Sequence, residues 1–226
     1  MNKVLLGMVL ALSVGSVAAQ PVQFAPPPGD AVAARDLELR KEMADRVKRY
    51  GVDEAALLRS VQAAQERTVF CTYCHGEDGN STRDHIPNLA GQNPVYLLDQ
   101  FERFGDGRRK DFVMAELARS FSDEEKVNLS IYYSRMSMRP AGGDPAKVAA
   151  GKKVFETFCV QCHGADAKGE EGYARLAGQR PTYVVKMLKE FRDQTGRRAN
   201  PWMTAVTVRL SEADMEAVAA YLAGLE

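Results

Sequence analysis

Two short cysteine and histidine motifs are the part of this sequence best suited to chemistry. They read Cys71-Thr72-Tyr73-Cys74-His75 and Cys159-Val160-Gln161-Cys162-His163, and they contain all four cysteines of the chain and two of its three histidines. On a helical turn, residues i, i+3 and i+4 share one face, so the two thiols and the imidazole of each motif point the same way. This spacing is the attachment signal of c-type haem, whose vinyl groups react with the thiols while the histidine binds the iron. The sequence therefore predicts two covalently bound haems, with thioether bonds to Cys71, Cys74, Cys159 and Cys162 and with His75 and His163 as iron ligands.

Three other uses of cysteine compete with this prediction. Cysteines of exported proteins usually form disulfides, but a disulfide leaves the histidine after each pair unexplained. Two Cys-x-x-Cys pairs can hold a structural zinc ion, although the segment between Cys74 and Cys159 is far longer than the usual spacing. A thioredoxin-like redox pair needs a βαβ context, and this sequence has little strand pattern. Haem attachment is the interpretation that uses both cysteines and the histidine of each motif.

The chain repeats itself around the two motifs, which begin at Cys71 and at Cys159. The segment Leu89-Ala90-Gly91-Gln92-Asn93-Pro94 recurs as Leu176-Ala177-Gly178-Gln179-Arg180-Pro181, and Tyr96 matches Tyr183. Such self-similarity indicates the tandem duplication of a module of roughly 75–80 residues. A module of this size cannot bury a large core by itself, and a haem bonded to it supplies part of the missing apolar surface.

The repeat also selects a second axial ligand for each iron. Only His85 is left among the histidines, so two histidine ligands at both irons are excluded by count. Met114 and Met203 occupy equivalent positions, at nearly equal distances after the motif histidines, whereas Met187 and Met215 have no methionine counterpart. Core packing is the ordinary role of a methionine, but the matched pair predicts Met114 on the first iron and Met203 on the second, each in a loop before the last helix. Histidine and methionine together raise the reduction potential and fill both axial positions, which favours an electron carrier over an enzyme.

Helical patterns surround each motif and predict an all-α fold with about three helices around each haem. In the first half the helices are expected near 53–70, 94–104 and 123–136, and the second half matches them, with capping signals at Asp144-Pro145 and at Ser211. A charged helix from Arg35 to Tyr50 is expected before the first module, either packed on it or docking a partner. The predicted division of the chain is a signal peptide at 1–19, a partly helical N-terminal extension at 20–60, a first haem domain at 61–136, a linker at 137–146 and a second haem domain at 147–226.

The segment 1–19 has the layout of a secretory signal, with Lys3, an apolar stretch and the small-residue site Val17-Ala18-Ala19. We therefore expect an exported, periplasmic protein, and no later segment approaches the apolar length of a transmembrane helix. The 30 basic and 30 acidic residues balance, which argues against a nucleic-acid partner, since such proteins carry a basic surplus. A hydrophobic fraction of 45% argues against disorder.

On these motifs the sequence resembles the di-haem cytochrome c4 family, in which two class I cytochrome c modules lie in tandem. The likeness covers about residues 60–226 and includes both Cys-x-x-Cys-His motifs, both Leu-Ala-Gly-Gln-x-Pro-x-Tyr segments and both matched methionines. The resemblance implies a carrier of electrons between membrane respiratory complexes and terminal acceptors such as haem–copper oxidases, with peripheral membrane association left open. The alternative is a haem subunit of an enzyme complex of the flavocytochrome sulfide dehydrogenase type.

The first half departs from the pattern that the resemblance implies. Class I modules pack a glycine and an aromatic residue of the first helix against an aromatic of the last, which fits Gly151, Phe155 and Tyr221. The first half has Ala63 and Arg67 at the two first-helix positions, so its helix crossing must be built differently.

The resemblance also implies a backbone carbonyl, at Pro87 and at its counterpart Ala174, that accepts the proximal histidine N–H.

The pairs Arg108-Arg109 and Arg197-Arg198 fit either the binding of haem propionates or exposure on a solvated surface. Because the linker at 137–146 is short, we expect the modules to dock through equivalent surfaces lined by Met136 and Met138.

Overall fold

The computed structural model describes residues 30–50, 52–170 and 172–226, so the predicted signal peptide at 1–19 lies outside the described residues. The described chain is all-α, as predicted, and its β pairing is limited to an isolated bridge between Arg109 and Arg198. None of its helices is long and apolar enough to cross a membrane. The helices are α1 (Asp30–Tyr50), α2 (Glu54–Gln65), α3 (Val69–His75), α4 (Pro94–Gly105), α5 (Phe112–Ser120), α6 (Asp123–Ser134), α7 (Pro145–Phe158), α8 (Val160–His163), α9 (Pro181–Arg192), α10 (Pro201–Thr207) and α11 (Glu212–Ala223).

The first module contains α2 to α6 and the second contains α7 to α11. Three helices of each module match those expected from the sequence, but the single helix expected at 53–70 is divided in two. A turn at residues 66–68 separates α2 from α3, and the N–H of Arg67 bonds the carbonyl of Ala64 at 2.9 Å. Each module also contains one short helix where the sequence predicts a loop, α5 in the first and α10 in the second.

In the second module, α7 and α11 cross with their backbones in close contact. A Cβ atom at Gly151 would overlap the carbonyl group of Ala217, so glycine is required at this crossing. Phe155 lies one helical turn further along α7 and packs on Tyr221, with 5.7 Å between the ring centroids. These are the three residues that the class I pattern places at the crossing.

In the first module the corresponding crossing of α2 and α6 is built from other residues. Ser60 and Ala64 are buried at the contact, and the Ser60 hydroxyl donates to Asn128 Oδ1 at 2.6 Å. Ala63 and Arg67, which align with Gly151 and Phe155, are exposed. A buried polar pair therefore replaces the glycine and aromatic contact of the second module.

The substitution Gly151→Ala is expected to lower the free energy of unfolding of the second module. Alanine gains about 1 kcal/mol over glycine in helix propensity, but its Cβ must displace the Ala217 backbone, and overpacking of this kind costs roughly 1–3 kcal/mol or more. The net loss can be measured by urea unfolding. Ala150→Gly, at an exposed site on the same helix, is the control and should show only the propensity cost. A stabilised Gly151→Ala protein would contradict this crossing geometry.

Helix α1 packs on the first module and also reaches the second. Met43 is 5% exposed and lies in a cluster with Leu98 and Val127, while Arg46 pairs with Glu102 at 3.1 Å. The guanidinium of Arg40 stacks on the ring of Tyr173 in the second module, 4.0 Å from its centroid. Of the two roles expected for this helix, the structure has the one in which it packs on the protein.

Candidate haem sites

The two Cys-x-x-Cys-His motifs form short helical turns in separate modules. The first motif lies in α3, and the second forms α8, with Cys159 at its N-cap. Each turn ends at a glycine with a positive φ, 83° at Gly76 and 77° at Gly164, a conformation that glycine adopts without strain. At Gly76 a side chain would also overlap the carbonyl oxygen of Asn80. The two turns are thus held in the same way at equivalent places.

Both motif histidines are buried and fixed at one ring nitrogen. His75 Nδ1 lies 2.9 Å from the carbonyl oxygen of Pro87, and His163 Nδ1 lies 2.8 Å from that of Ala174. Since a carbonyl can only accept, Nδ1 is the protonated nitrogen, and Nε2 keeps its lone pair for a metal. Burial lowers the pKa of both imidazoles, which favours the neutral form that binds iron. The carbonyl of Ala174 makes this bond although the proline of the first module is absent there.

The cysteines suit thioether formation better than the three alternatives. All four are free of disulfides in the described chain. Burial raises the pKa of the Cys71 thiol, and burial raises the pKa of Cys159 to about 12. Redox-active pairs have the opposite property, a depressed pKa. A shared zinc site would have to join pairs that lie in different modules, and no cluster of three metal-binding side chains occurs among the described residues.

Met114 and Met203 occupy matching places, each at the third position of a short helix. The side chain of Asp111 caps α5 by accepting from the Met114 N–H at 3.1 Å, and the side chain of Asn200 caps α10 by accepting from the Met203 N–H at 3.0 Å. Both methionines are half-buried. The equivalence expected from the repeat therefore extends to the local backbone, although the expected loops are the first turns of helices.

The two modules dock through a reciprocal pair of glutamines. Gln92 Oε1 accepts from the Arg175 N–H at 2.6 Å, and its Nε2 donates to the Arg175 carbonyl at 2.9 Å. Gln179 makes the same two bonds with Asn88, at 2.7 and 3.0 Å. Asn88 and Arg175 each precede the Leu-Ala-Gly-Gln segment of their own module, so the contact joins equivalent surfaces. The docking is therefore pseudo-twofold, as the duplication predicts.

Of the two methionines expected at this contact, one lies there. The Asn88 amide donates to the Met138 sulfur at 3.4 Å, and Met138 also lies against Gly178 of the second module. Met136 instead packs against the core of the first module. Met136 follows α6 directly, and from this position its side chain can reach either the interface or the core of its own module. Only the tertiary packing decides between the two.

A double substitution of Gln92→Leu and Gln179→Leu is expected to weaken the docking and the electrostatic coupling of the haems. It leaves the backbone groups of Asn88 and Arg175 without partners, at roughly 1–3 kcal/mol for each unsatisfied group. If the haems interact across the interface, reducing one makes reducing the other harder. In a redox titration the separation of the two steps should then shrink, whereas Gln62→Leu, at an exposed site, should leave it intact. An unchanged separation would mean that the difference is intrinsic to each pocket.

Two arginines form the centre of the interface. Arg109 donates to Gln100 Oε1 at 2.7 Å and to the Tyr183 hydroxyl at 2.8 Å. Arg198 donates to the Tyr96 hydroxyl at 2.5 Å and to Gln100 Oε1 at 3.2 Å. Burial raises the pKa of the Tyr183 hydroxyl, but the two guanidiniums together hold it below its ordinary value. The field at this place is strongly positive.

This arginine pair fits haem. Arg109 and Arg198 are both partly buried. In the described part of the chain, neither guanidinium makes an ion pair with a carboxylate, and a counter-ion stabilises a charge that is partly removed from water. Haem carries propionate carboxylates, whose oxygen pair matches the guanidinium fork. The other arginine of each sequence pair, Arg108 or Arg197, is exposed. A solvated surface position thus fits Arg108 and Arg197, and binding of haem propionates remains a prediction for Arg109 and Arg198 alone.

Comparison with known proteins identifies the family. A sequence model described as cytochrome c matches residues 148–226, which form the second module. Cytochrome c4 from Pseudomonas aeruginosa is 34% identical over 177 residues, covering 72% of this chain and 87% of the relative. The chain belongs to the cytochrome c4 family. The crystal structure of reduced recombinant cytochrome c4 from Pseudomonas stutzeri matches with a TM-score of 0.69 and 31% identity, covering 74% of this chain and 98% of that one.

Membership of the cytochrome c4 family gives the cofactor and the general function. The chain is an electron-transfer cytochrome with two covalently bound c-type haems. A further relative is named thiosulfate dehydrogenase electron acceptor, from Stutzerimonas stutzeri strain A1501. It is 38% identical over 211 residues, covering 86% of this chain and 92% of the relative.

Sequence reasoning missed the role of four residues at the interface. Gln92 and Gln179 stood out only as letters of the repeated segment, as did Tyr96 and Tyr183. The sequence does contain an indication of this role. Polar side chains that recur in both halves without belonging to a haem motif are candidates for a contact between the halves. The partner of each side chain could not be found without the docked structure.

Proposed function

We propose that this cytochrome is a periplasmic di-haem carrier that moves electrons between respiratory-chain donors and a terminal acceptor such as a haem–copper oxidase. Cys71 and Cys74 hold the first haem, with His75 and Met114 on its iron. Cys159 and Cys162 hold the second, with His163 and Met203. Each bound haem would accept and release one electron reversibly.

The observation that carries this proposal is the pair of equivalent histidine sites on either side of one polar interface. His75 and His163 are fixed by backbone carbonyls at 2.9 and 2.8 Å, so each can bind iron without reorienting. Arg109 and Arg198 lie between the modules and supply positive charge for propionates of both haems. A docked pair of this kind lets an electron enter through one module and leave through the other.

Rapid-mixing kinetics test the carrier role. The oxidised holoprotein should be reduced by a quinol-oxidising membrane complex, and the reduced protein should be reoxidised by a haem–copper oxidase, at rates that depend on ionic strength. Cell fractionation should find the protein in the periplasm, without the segment 1–19. Failure of both reactions with intact haems would exclude this place in the respiratory chain.

A second candidate function is direct acceptance of electrons from a periplasmic sulfur-oxidising dehydrogenase, as its dedicated haem partner. It is favoured by the relative from Stutzerimonas stutzeri that is named a thiosulfate dehydrogenase electron acceptor. The alignment with this relative covers 86% of the chain, which is more than the segment 61–226 occupies, so it also includes part of the N-terminal extension. The resemblance in this case extends beyond the two haem modules.

Native size-exclusion chromatography separates the two candidates. A chain that elutes alone supports the mobile carrier, and co-elution with a catalytic protein at fixed stoichiometry supports the dedicated partner. Stopped-flow reduction by thiosulfate dehydrogenase and thiosulfate, compared with reduction by a quinol-oxidising complex, gives the same distinction from kinetics.

A further inference from the structure

The first module contains a buried hydroxyl group that the haem sites described above do not use. Tyr133 is 2% exposed and lies in one hydrophobic cluster with Cys71, Leu97, Phe121 and Leu129. Its hydroxyl oxygen is buried and has no hydrogen-bond partner among the described residues. An unsatisfied hydroxyl in such a place costs free energy, so a partner is expected when the protein is complete.

The second module has a leucine at the same position. The Gly91 N–H bonds the Tyr133 carbonyl at 2.9 Å, and the Gly178 N–H bonds the Leu222 carbonyl at 2.8 Å. Since Gly91 and Gly178 are equivalent residues of the repeated segment, Tyr133 and Leu222 are equivalent as well. Leu222 is 1% exposed, and the first cysteine of the second motif packs against its cluster. At this position, in the cluster that contains or contacts the first cysteine of each motif, the first module has a hydroxyl group and the second module has none.

We propose that the Tyr133 hydroxyl donates a hydrogen bond to the sulfur of Cys71 when that sulfur forms the first thioether of haem 1, and thereby raises the reduction potential of this haem relative to haem 2. A donor aimed at the sulfur withdraws electron density from the macrocycle and stabilises the added electron of the ferrous state. Hydrogen bonding around the ligated group is one of the means by which a protein adjusts a haem potential. The inference rests on the proposed assignment of Cys71 to haem 1.

The hydroxyl is suited to be a permanent donor. Burial raises the pKa of Tyr133 far above its ordinary value, so the group stays protonated throughout the physiological range. Burial also raises the pKa of the Cys71 thiol, and the Tyr133 hydroxyl is the neighbour that opposes this change. A thioether sulfur keeps lone pairs and loses only its hydrogen, so it can accept from the same direction.

The test is Tyr133→Phe in the holoprotein, which removes the hydroxyl and leaves the ring. Only the difference in the strength of this bond between the ferrous and ferric states changes the reduction equilibrium of haem 1, so the loss of an ordinary hydrogen bond changes it at most roughly tenfold. A tenfold change in a one-electron couple corresponds to about 59 mV. Spectroelectrochemical titration, with the two steps assigned by NMR of the haem methyl groups, should show a lower potential for haem 1 and an unchanged potential for haem 2. Tyr132→Phe, at the half-buried neighbouring residue, is the matched control and should change neither.

An unchanged or raised potential of haem 1 in Tyr133→Phe would overturn the inference. Mass spectrometry of the haem-bearing peptide in the same sample shows whether Cys71 carries haem, so failure of the assignment is distinguished from failure of the hydrogen bond. A measurement on the unmodified protein does not depend on any variant. In the diamagnetic ferrous state, the Tyr133 hydroxyl proton should exchange slowly and lie close to the haem 1 thioether, and rapid exchange would contradict the proposal.

Discussion

Replacing Met114 by leucine is expected to lower the reduction potential of the first haem strongly and to remove one of two sulfur-to-iron charge-transfer contributions from the ferric spectrum. Thioether sulfur favours the softer ferrous iron, and axial ligands set haem potentials over a range of about 0.8 V. Leucine nearly conserves the volume of methionine, so packing should change little. Met203→Leu should have the same effect on the second haem. Potentiometric titration with optical detection measures both changes.

Met215→Leu is the matched control for the two ligand variants. Met215 is fully buried in the core of the second module, so its replacement tests the loss of a methionine without the loss of a ligand. Its spectrum and both potentials should match those of the unmodified protein. If Met114→Leu or Met203→Leu also leaves the spectrum and both potentials intact, the ligand assignment of that methionine is wrong.

Removing the cysteines of one motif is expected to eliminate one haem and most of the stability of that module. Mass spectrometry of the mature protein should find the polypeptide without the segment 1–19 plus two haems, and Cys159→Ala with Cys162→Ala should leave one. A module of roughly 75–80 residues buries too little surface to fold well by itself. The second module should therefore lose its cooperative thermal transition, because the haem binds the folded state and stabilises it.

The corresponding double substitution, Cys71→Ala with Cys74→Ala, should unfold the first module less completely than the second-module variant unfolds the second module. Helix α1 adds Met43 to a core cluster with Leu98, Val127 and Ile131 that lies outside the cluster containing Cys71. Among the described helices, none adds a comparable extra core to the second module. Circular dichroism should show more residual helix in this variant than in the second-module variant. If either variant retains two haems, or contains zinc in place of haem, the thioether assignment is wrong.

The helices were predictable where the sequence carries local signals. Three helices begin close to their predicted starts: α4 after the N-cap Asn93, α7 after Asp144 and α11 after Ser211. Capping side chains and proline act within one turn of the chain, so they are visible without tertiary information. The sequence does not indicate the short helices α5 and α10, because helices of nine and seven residues are too short for an apolar periodicity to be recognised.

The sequence by itself determined the chemistry of the sites, because haem attachment depends on residue types at fixed spacing within one helical turn. The duplication then matched Met114 with Met203, and it required the two modules to share one fold. Tertiary structure alone decided which members of repeated pairs meet. Arg109 and Arg198 enter the interface while Arg108 and Arg197 stay in solvent, and Tyr133 but not Tyr132 places a buried hydroxyl in the cluster of Cys71. Adjacent residues on a helix or loop point in different directions, and only the packing of distant segments fixes which direction is buried.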